Sequence, residues 1–325
     1  MPPLDGVRVL DLTRLLPGAY ATLLLADLGA DVIKIEDPRG GDSMRHLGVR
    51  TFFDRFNRGK QSVTLNLRSP QAAAVLDALI GVSDVVVDSF RPSTAQRLGV
   101  DAVSLHTRHP RLICASINGF GLGGSSANRA AHDINYQALA GTLKPPRLPG
   151  PLVGDIGAAM HAALHIVAAL FARDRTGAGS VVDVAIYDAA RVWAMFPTTD
   201  DLESACYNLY ETADGRWLAL GALEPKFWAG FCTGIDRADL IPLQHAQGDA
   251  GRRVLSDVRA IMRSRTRDEW LAQFGDDDVC LTSVEEPAPV QDSDGPALGA
   301  DTDRILESAG LDGARRAELR AAGVI

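Results

Sequence analysis

Between residues 7 and 186 the chain alternates short apolar runs with helix-forming segments, and this alternation restricts the fold more than any other feature. Residues 7–12, 31–36, 62–67, 84–88, 112–117 and 181–186 are rich in Val, Ile and Leu and read as strands. Between them lie Ala- and Leu-rich segments with helical spacing at 18–28 and 154–173, and a helix that Ser69-Pro70 is expected to open and that runs to residue 79. Strands that alternate with helices predict a parallel sheet covered on both faces.

The texture changes near residue 197. Residues 207–211 and 217–220 flank Asp214-Gly215, a hairpin signal. Helices are expected from Pro225, over 252–263 and over 266–274, with a strand within 279–284. Residues 286–299 are rich in Pro, Asp and Gly and read as a linker, followed by two short helices separated near 310–313. The expected organisation is a large Rossmann-like domain over 1–196, a small α+β domain over 197–288, and a segment over 289–325 that returns to a large domain.

Composition narrows the function classes. Apolar residues make up 46% of the 325, and 41 acidic against 33 basic side chains give a net charge of −8. That balance disfavours nucleic acid as a partner, because a polyanion needs a basic surface. The apolar stretch over 160–171 is interrupted by His161 and His165 and is shorter than a bilayer requires, so no membrane association is expected. The opening residues carry no basic, leader-like segment, and four scattered cysteines form no CxxC, which together suggest a cytoplasmic protein with free thiols.

The motifs exclude several chemistries. Gly119 to Gly124 fits G-x-G-x-x-G, but a dinucleotide site needs a helix to start there, and Ser-Ser-Ala-Asn follows instead. A loop lining a pocket is the better reading. No P-loop, HExxH or Gly-x-Ser-x-Gly occurs, and the seven histidines lack metal-ligand spacing, so neither a metal nor a resident cofactor is expected. What stands out is His132-Asp133-Ile-Asn-Tyr136 followed by Val153-Gly154-Asp155. A histidine and a carboxylate, each beside an expected helix start, suit an acid/base pair that converges on one cavity. The alternative is a histidine at a helix N-terminus and an unrelated capping aspartate.

A set of segments resembles the family III coenzyme A-transferases: Leu4-Asp-Gly-Val-Arg-Val-Leu-Asp-Leu, Pro17-Gly18, the run from Leu25 to Glu36, Asn57-Arg-Gly-Lys60, Ser89-Phe-Arg-Pro92, Ile117-Asn-Gly-Phe-Gly121, Thr176-Gly-Ala-Gly179 and the last seven residues. Within that family, His132 to Tyr136 and Gly221 to Phe227 are similar to the α-methylacyl-CoA racemase branch. The resemblance implies an acyl-CoA substrate, with coenzyme A entering only as part of it, and two subunits interlocked as a homodimer. It implies that His132 and Asp155 are the proton-transfer pair, that Glu224 supports them, and that Asp133 and Tyr136 flank the pocket. It further implies Arg91 and Lys60 near the coenzyme A phosphates. Where the family often carries Arg, this chain has Asp37, so Arg39 and Lys34 are the candidates to take over that charge. Segments 188–207 and 286–295 are shorter than the family's.

This chemistry has a physical logic. Removing the weakly acidic α-proton of a thioester yields an enolate whose oxygen must be stabilised, and amide N–H groups at a helix N-terminus supply that. Gly154 and Gly157 are expected to let the backbone approach the ligand. A neutral imidazole on one face and a protonated carboxyl on the other would then invert the centre. The expected activity is 2-methylacyl-CoA racemisation. Two other readings stay open: a CoA-transferase with Asp155 as nucleophile, and a catalytically weak CoA-binding homologue.

Overall fold

A computed structural model describes residues 1–47, 50–196, 202–275, 277–287 and 293–325. By contacts the chain divides into two compact units, one made of Met1–Met195 with Gln291–Ile325 and the other of Phe196–Val290.

The large unit is built on six parallel strands: β1 (Arg8–Asp11), β2 (Asp31–Glu36), β3 (Gln61–Thr64), β4 (Val85–Asp88), β5 (Ile113–Asn118) and β6 (Val181–Ala185). Their spatial order is β3-β2-β1-β4-β5-β6. Helices α1 (Leu15–Asp27), α2 (Arg50–Asn57), α3 (Ala72–Gly81), α4 (Pro92–Leu98), α5 (Ala102–Arg108), α6 (Asp133–Ala140), α7 (Val153–Thr176) and α8 (Ile186–Trp193) complete the Rossmann-like architecture. Buried side chains cluster on both sides of the sheet, as expected where both faces are covered. β1 and β4 are neighbours, and the order of strands reverses between them. Ligands in open α/β sheets bind in the crevice above that reversal, at the carboxyl ends of the strands.

Element boundaries differ from expectation where local chemistry intervenes. Ser69 and Pro70 form a turn, and α3 starts two residues beyond Pro70. Ile186, expected to finish a strand, starts α8 instead. α7 runs 24 residues, a little beyond the expected 154–173, and, unlike the 160–171 stretch taken alone, is long and apolar enough to cross a membrane. Its inner side is buried in the core beside the sheet, through Gly154, Gly157, Ala158, Ala159, Ala162, Ala163, Ile166 and Leu170.

Residues 299–302 finish the sheet at β3. Asp301 N donates to Ser62 O, Ser62 N to the Asp301 carboxylate, and Thr64 N to Thr302 Oγ1, each at 3.0 Å. The edge strand's outward amides are thereby satisfied. Helices α12 (Thr302–Ser308) and α13 (Gly313–Ala321) then pack Ile305, Leu306 and Leu319 into the same core cluster as β2 and β3.

The small unit has an antiparallel sheet of β7 (Tyr207–Glu211), β8 (Trp217–Gly221) and β9 (Leu281–Ser283), with β8 central. Asp214-Gly215 does turn the β7–β8 hairpin, with Gly215 at φ +72°. Helices α9 (Pro225–Gly234), α10 (Gly248–Met262) and α11 (Arg267–Phe274) close a core around Trp228, Phe231, Trp270 and Phe274.

Beneath the carboxyl ends of β1 and β2 lies a buried ionic cluster. Lys60 Nζ shares its three N–H groups among four acceptors within hydrogen-bond distance, Asp11 (3.1 Å), Thr22 Oγ1 (2.7 Å), Asn57 Oδ1 (2.9 Å) and Ala19 O (2.9 Å). Lys34 Nζ donates to Thr13 O at 3.0 Å and lies 3.0 Å from Asp42 and 3.9 Å from Asp11. Burial alone would push the Asp11 carboxyl up, but the two ammonium groups and the hydroxyls of Thr13 and Thr22 hold it well below the usual carboxylate range. Burial pulls Lys60 down to about 8. Removing one partner of such a cluster strands a buried charge, which costs about 3–5 kcal/mol. Lys34→Met should therefore lose stability of that order in denaturant unfolding at pH 7; a loss below about 1 kcal/mol would mean the cluster is not the structural tie inferred here.

Candidate active site

The loops at the carboxyl edge of the sheet enclose a cavity of about 440 Å³. The loop after β1 and the first turn of α1 contribute Arg14 to Pro17, the loop after β4 Ser89 to Arg91, and the loop after β5 Gly119, Ala127 and Arg129 to His132. Met44, Leu47 and Phe52 add an apolar wall, and Tyr136, Leu152, Asp155 and Ile186 close the far side. The first two loops are clasped across the strand-order reversal: Arg14 N donates to Ser89 Oγ at 2.8 Å, and Ser89 Oγ donates to Arg14 O at 3.2 Å.

Both members of the expected acid/base pair line this cavity. His132 is the residue before α6, with extended backbone, and its amide donates to Asn135 Oδ1 at 3.0 Å. Its side chain is exposed. Asp155 sits in the first turn of α7 and is half-buried. Burial pushes its carboxyl up to about 7, and the charge of Asp133 adds to the effect. Asp133 is itself buried: it accepts from Asp155 N at 2.9 Å and from Gln137 Nε2 at 2.5 Å. Tyr136 packs edge-on to Phe120 with ring centres 5.3 Å apart and donates to Ala131 O at 3.3 Å. Gly119 admits that phenol, since a Cβ there would stand 2.5 Å from its oxygen.

Several expectations need correction. Gly154 and Gly157 do not open the helix to a ligand; they face α8. A Cβ at Gly154 would come within 3.0 Å of Asp133 and 3.4 Å of Ala190, and one at Gly157 within 2.9 Å of the Trp193 indole nitrogen. Of the α7 amides there, Asp155 N is taken by Asp133 and Ile156 N by Leu152 O, while Gly154 N has no acceptor among the described residues. Lys34 and Lys60 are not at a phosphate site, because both are buried in the cluster around Asp11, where no external anion can replace their partners. Arg39 is exposed, but its guanidinium is engaged by both oxygens of Asp37, at 3.0 and 2.9 Å, and this pairing pulls Asp37 down to about 2. Arg91 does line the cavity. Glu224 belongs to the small unit, at the N-cap of α9.

Sequence reading missed Arg14 and Arg129, which share the cavity wall with Arg91, and Arg68 and Arg97, which line a smaller cleft of about 80 Å³ adjoining it through Arg14 and Phe90. Among the described residues no ion pair joins Arg14, Arg91, Arg97 or Arg129 to a carboxylate, while Arg68 adds to the charge that holds Asp37 down. A signal existed: Arg14 stands in the short connection after the first strand segment, and Arg97 lies in the helix that begins directly after Arg91. The Gly119 to Gly124 segment is a loop, as expected, folded back on Asp183 through Leu122 N (2.9 Å) and Asn118 Nδ2 (2.9 Å).

An open parallel sheet with an imidazole and a high-lying carboxyl gathered over its strand-order reversal defines an α/β enzyme of Rossmann-like build. The family model for CoA-transferase family III matches residues 4–300, and the chain belongs to that family. It is 34% identical over 307 residues to the alpha-methylacyl-CoA racemase of Homo sapiens, covering 86% of this chain and 77% of that protein. It is 37% identical over 265 residues to the succinyl-CoA--D-citramalate CoA-transferase of Chloroflexus aurantiacus, covering 73% and 66%. The crystal structure of Rv3272 from M. tuberculosis superposes with a TM-score of 0.80 at 28% identity, covering 94% of this chain and 99% of that one.

The carboxyl of Asp155 also affects stability. Its raised value means the native state keeps a proton that the unfolded chain has lost, so stability declines as pH rises from about 4 to about 7. Asp155→Asn removes that liability. It should unfold at a higher temperature than the parent at pH 8, by roughly 2–4 °C for about 1 kcal/mol, with the gain shrinking by pH 5. An unchanged or lower midpoint at pH 8 would contradict the assigned burial.

Proposed function

We propose that the protein is an α-methylacyl-CoA racemase-type isomerase, inverting the α-carbon of a 2-methylacyl-CoA through an enolate. The observation that carries this reading is the pairing, within one cavity, of exposed His132 with half-buried Asp155, whose carboxyl titrates about 7. His132 offers the imidazole of a base, and the Asp155 carboxyl, pushed up to about 7 by burial, retains its proton in a substantial share of molecules at neutral pH. One group takes the α-proton while the other delivers a proton to the opposite face. The product state has imidazolium and carboxylate, and both reset by exchange with water. The reverse direction swaps the roles.

The enolate oxygen needs donors. The first-turn amides of α6, at Asp133 and Ile134, and Gly154 N at the start of α7 have no acceptor among the described residues. A helix N-terminus stabilises developing negative charge, so the start of α6, directly after the cavity-lining His132, is suited to this role. Arg14, Arg91 and Arg129 supply positive charge for an anionic thioester conjugate.

A second reading is favoured by the relatives that are CoA-transferases. There Asp155 would attack the thioester carbonyl as carboxylate and expel the thiolate, giving an anhydride. The two readings separate in deuterium oxide. Racemase chemistry predicts α-deuterium incorporation with no acceptor acid present. His132→Ala and Asp155→Ala should each depress exchange by roughly 100- to 10,000-fold, with opposite biases between the two enantiomers. Exchange that is absent without an acceptor carboxylate, together with a covalent adduct at Asp155, would overturn the assignment.

We also propose that the working form is a homodimer in which Glu224 of a second copy completes the site. Support comes from the outer face of α7, where Met160, Leu164 and Phe171 stand 51%, 63% and 66% exposed along one line, near the helical spacing of a packing face. Sedimentation should find a dimer at micromolar concentration; a fully active monomer would refute this.

A further inference from the structure

We propose that Asp133 is a positioning residue that straps the α6 and α7 N-termini together and holds Asp155 in its working state. This rests on the acid–base reading of the site given above. The two groups expected to face opposite sides of the substrate come from different helices, and something must hold those helices in register. The Asp133 side chain is a buried tether between them. It is 4% exposed, begins α6 one residue after His132, and accepts the backbone N–H of Asp155 at 2.9 Å.

Its other oxygen accepts from Gln137 Nε2 one turn along α6, and that amide also donates to Pro151 O at 3.3 Å, on the segment leading into α7. The strap is therefore anchored on both helices. Gly154 makes room for it, because a Cβ there would come within 3.0 Å of Asp133 Oδ1. A carboxylate bonded to Asp155's own amide also puts a negative charge beside the Asp155 side chain, which favours the protonated form of that group.

The other titratable or charged groups near Asp155 are His132 and Tyr136 from α6, with Arg14, Arg91 and Arg129 on the cavity wall. α8 meets this turn through Ile186, Ala189, Ala190 and Trp193, none of which carries a charge. Asp133 is thus the anionic neighbour whose removal should be felt.

The test uses the full chain labelled with ¹³C at aspartate carboxyls, the Asp155 resonance being assigned by its loss in Asp155→Asn. In the parent it should titrate about pH 7. In Asp133→Asn, which keeps an acceptor for the amide but removes the charge, the midpoint should fall by about one pH unit. The turnover number for α-proton exchange should drop about 10-fold with little change in KM, and the acid limb of its pH profile should move with the midpoint. Asp133→Ala, which removes charge and acceptor together, should lose about 100-fold, and Asn should restore part of that. A residue that only supports the fold would change thermal stability and leave the midpoint and pH limb in place, and that result overturns the proposal. If Asp133→Asn does not fold, Gln137→Ala replaces it: a loosened strap predicts about a 10-fold loss of turnover number at unchanged KM, and an unaffected turnover number overturns the proposal. The titration needs no turnover, so a parent that fails to exchange α-protons refutes the racemase reading while the effect of Asp133 on Asp155 is still measured.

Discussion

Two lysines share one carboxylate in the interior of the large unit, and the geometry above them depends on that arrangement. Asp11 ends the central strand, Lys34 comes from β2, and Lys60 stands just before β3. Through Thr13, Thr22 and Ala19 the cluster also holds the loop after β1 and the start of α1. Buried charges are a poor source of net stability, since desolvation offsets most of the Coulomb attraction. Their contribution is directional. An ammonium group surrounded by four fixed acceptors tolerates little displacement, so the loop from Arg14 to Pro17 is set in place as a cavity wall before any ligand arrives.

A similar logic operates at the other side of the crevice, with one charge in place of several. α7 is the longest helix among those described, and the first half of its buried face is made of Gly and Ala, which let α1, α8 and the sheet approach closely. Its first turn carries Asp155, in surroundings that penalise the ionised form. The large unit therefore holds two opposite electrostatic situations a few strands apart. Asp11 is surrounded by cations and stays ionised; burial, with the anionic Asp133 beside it, pushes Asp155 up to about 7. Residue type is the same at both positions, and environment alone sets the two carboxyls apart.

Much of the fold was legible because a parallel sheet buried on both faces needs continuous apolar strands, and those stand out in 31–36, 84–88 and 112–117. Boundaries were less legible where one residue serves two elements. Ile186 is as suited to a strand as to the first turn of a buried helix, and only its packing against the α7 start decides. At the site, the helix-start signals around His132 and Asp155 picked out two segments that the fold brings to one cavity. The basic residues were harder. Lys34 and Lys60 look like surface cations in a linear reading, and nothing local reveals that both turn inward to Asp11. Arg39 and Asp37 are two residues apart, yet their mutual neutralisation depends on the turn that follows β2. The glycines near Asp155 were read as ligand-facing when their small size serves the contact with α8, a distinction that requires knowing which side of the helix meets a neighbour.

The clasp of residues 299–302 on β3 bears on how the chain is made. Strand β3 emerges from the ribosome early, yet the groups that satisfy its outer edge arrive more than 230 residues later in the chain, after the whole small unit has been synthesised. Until then a nascent molecule carries an open strand edge with half its hydrogen bonds unmade, the kind of surface that pairs with other chains. The small unit can collapse on its own core while the large one waits. Synthesis speed and chaperone cover over that interval, rather than the stability of the finished sheet, would then govern how much soluble protein a cell obtains.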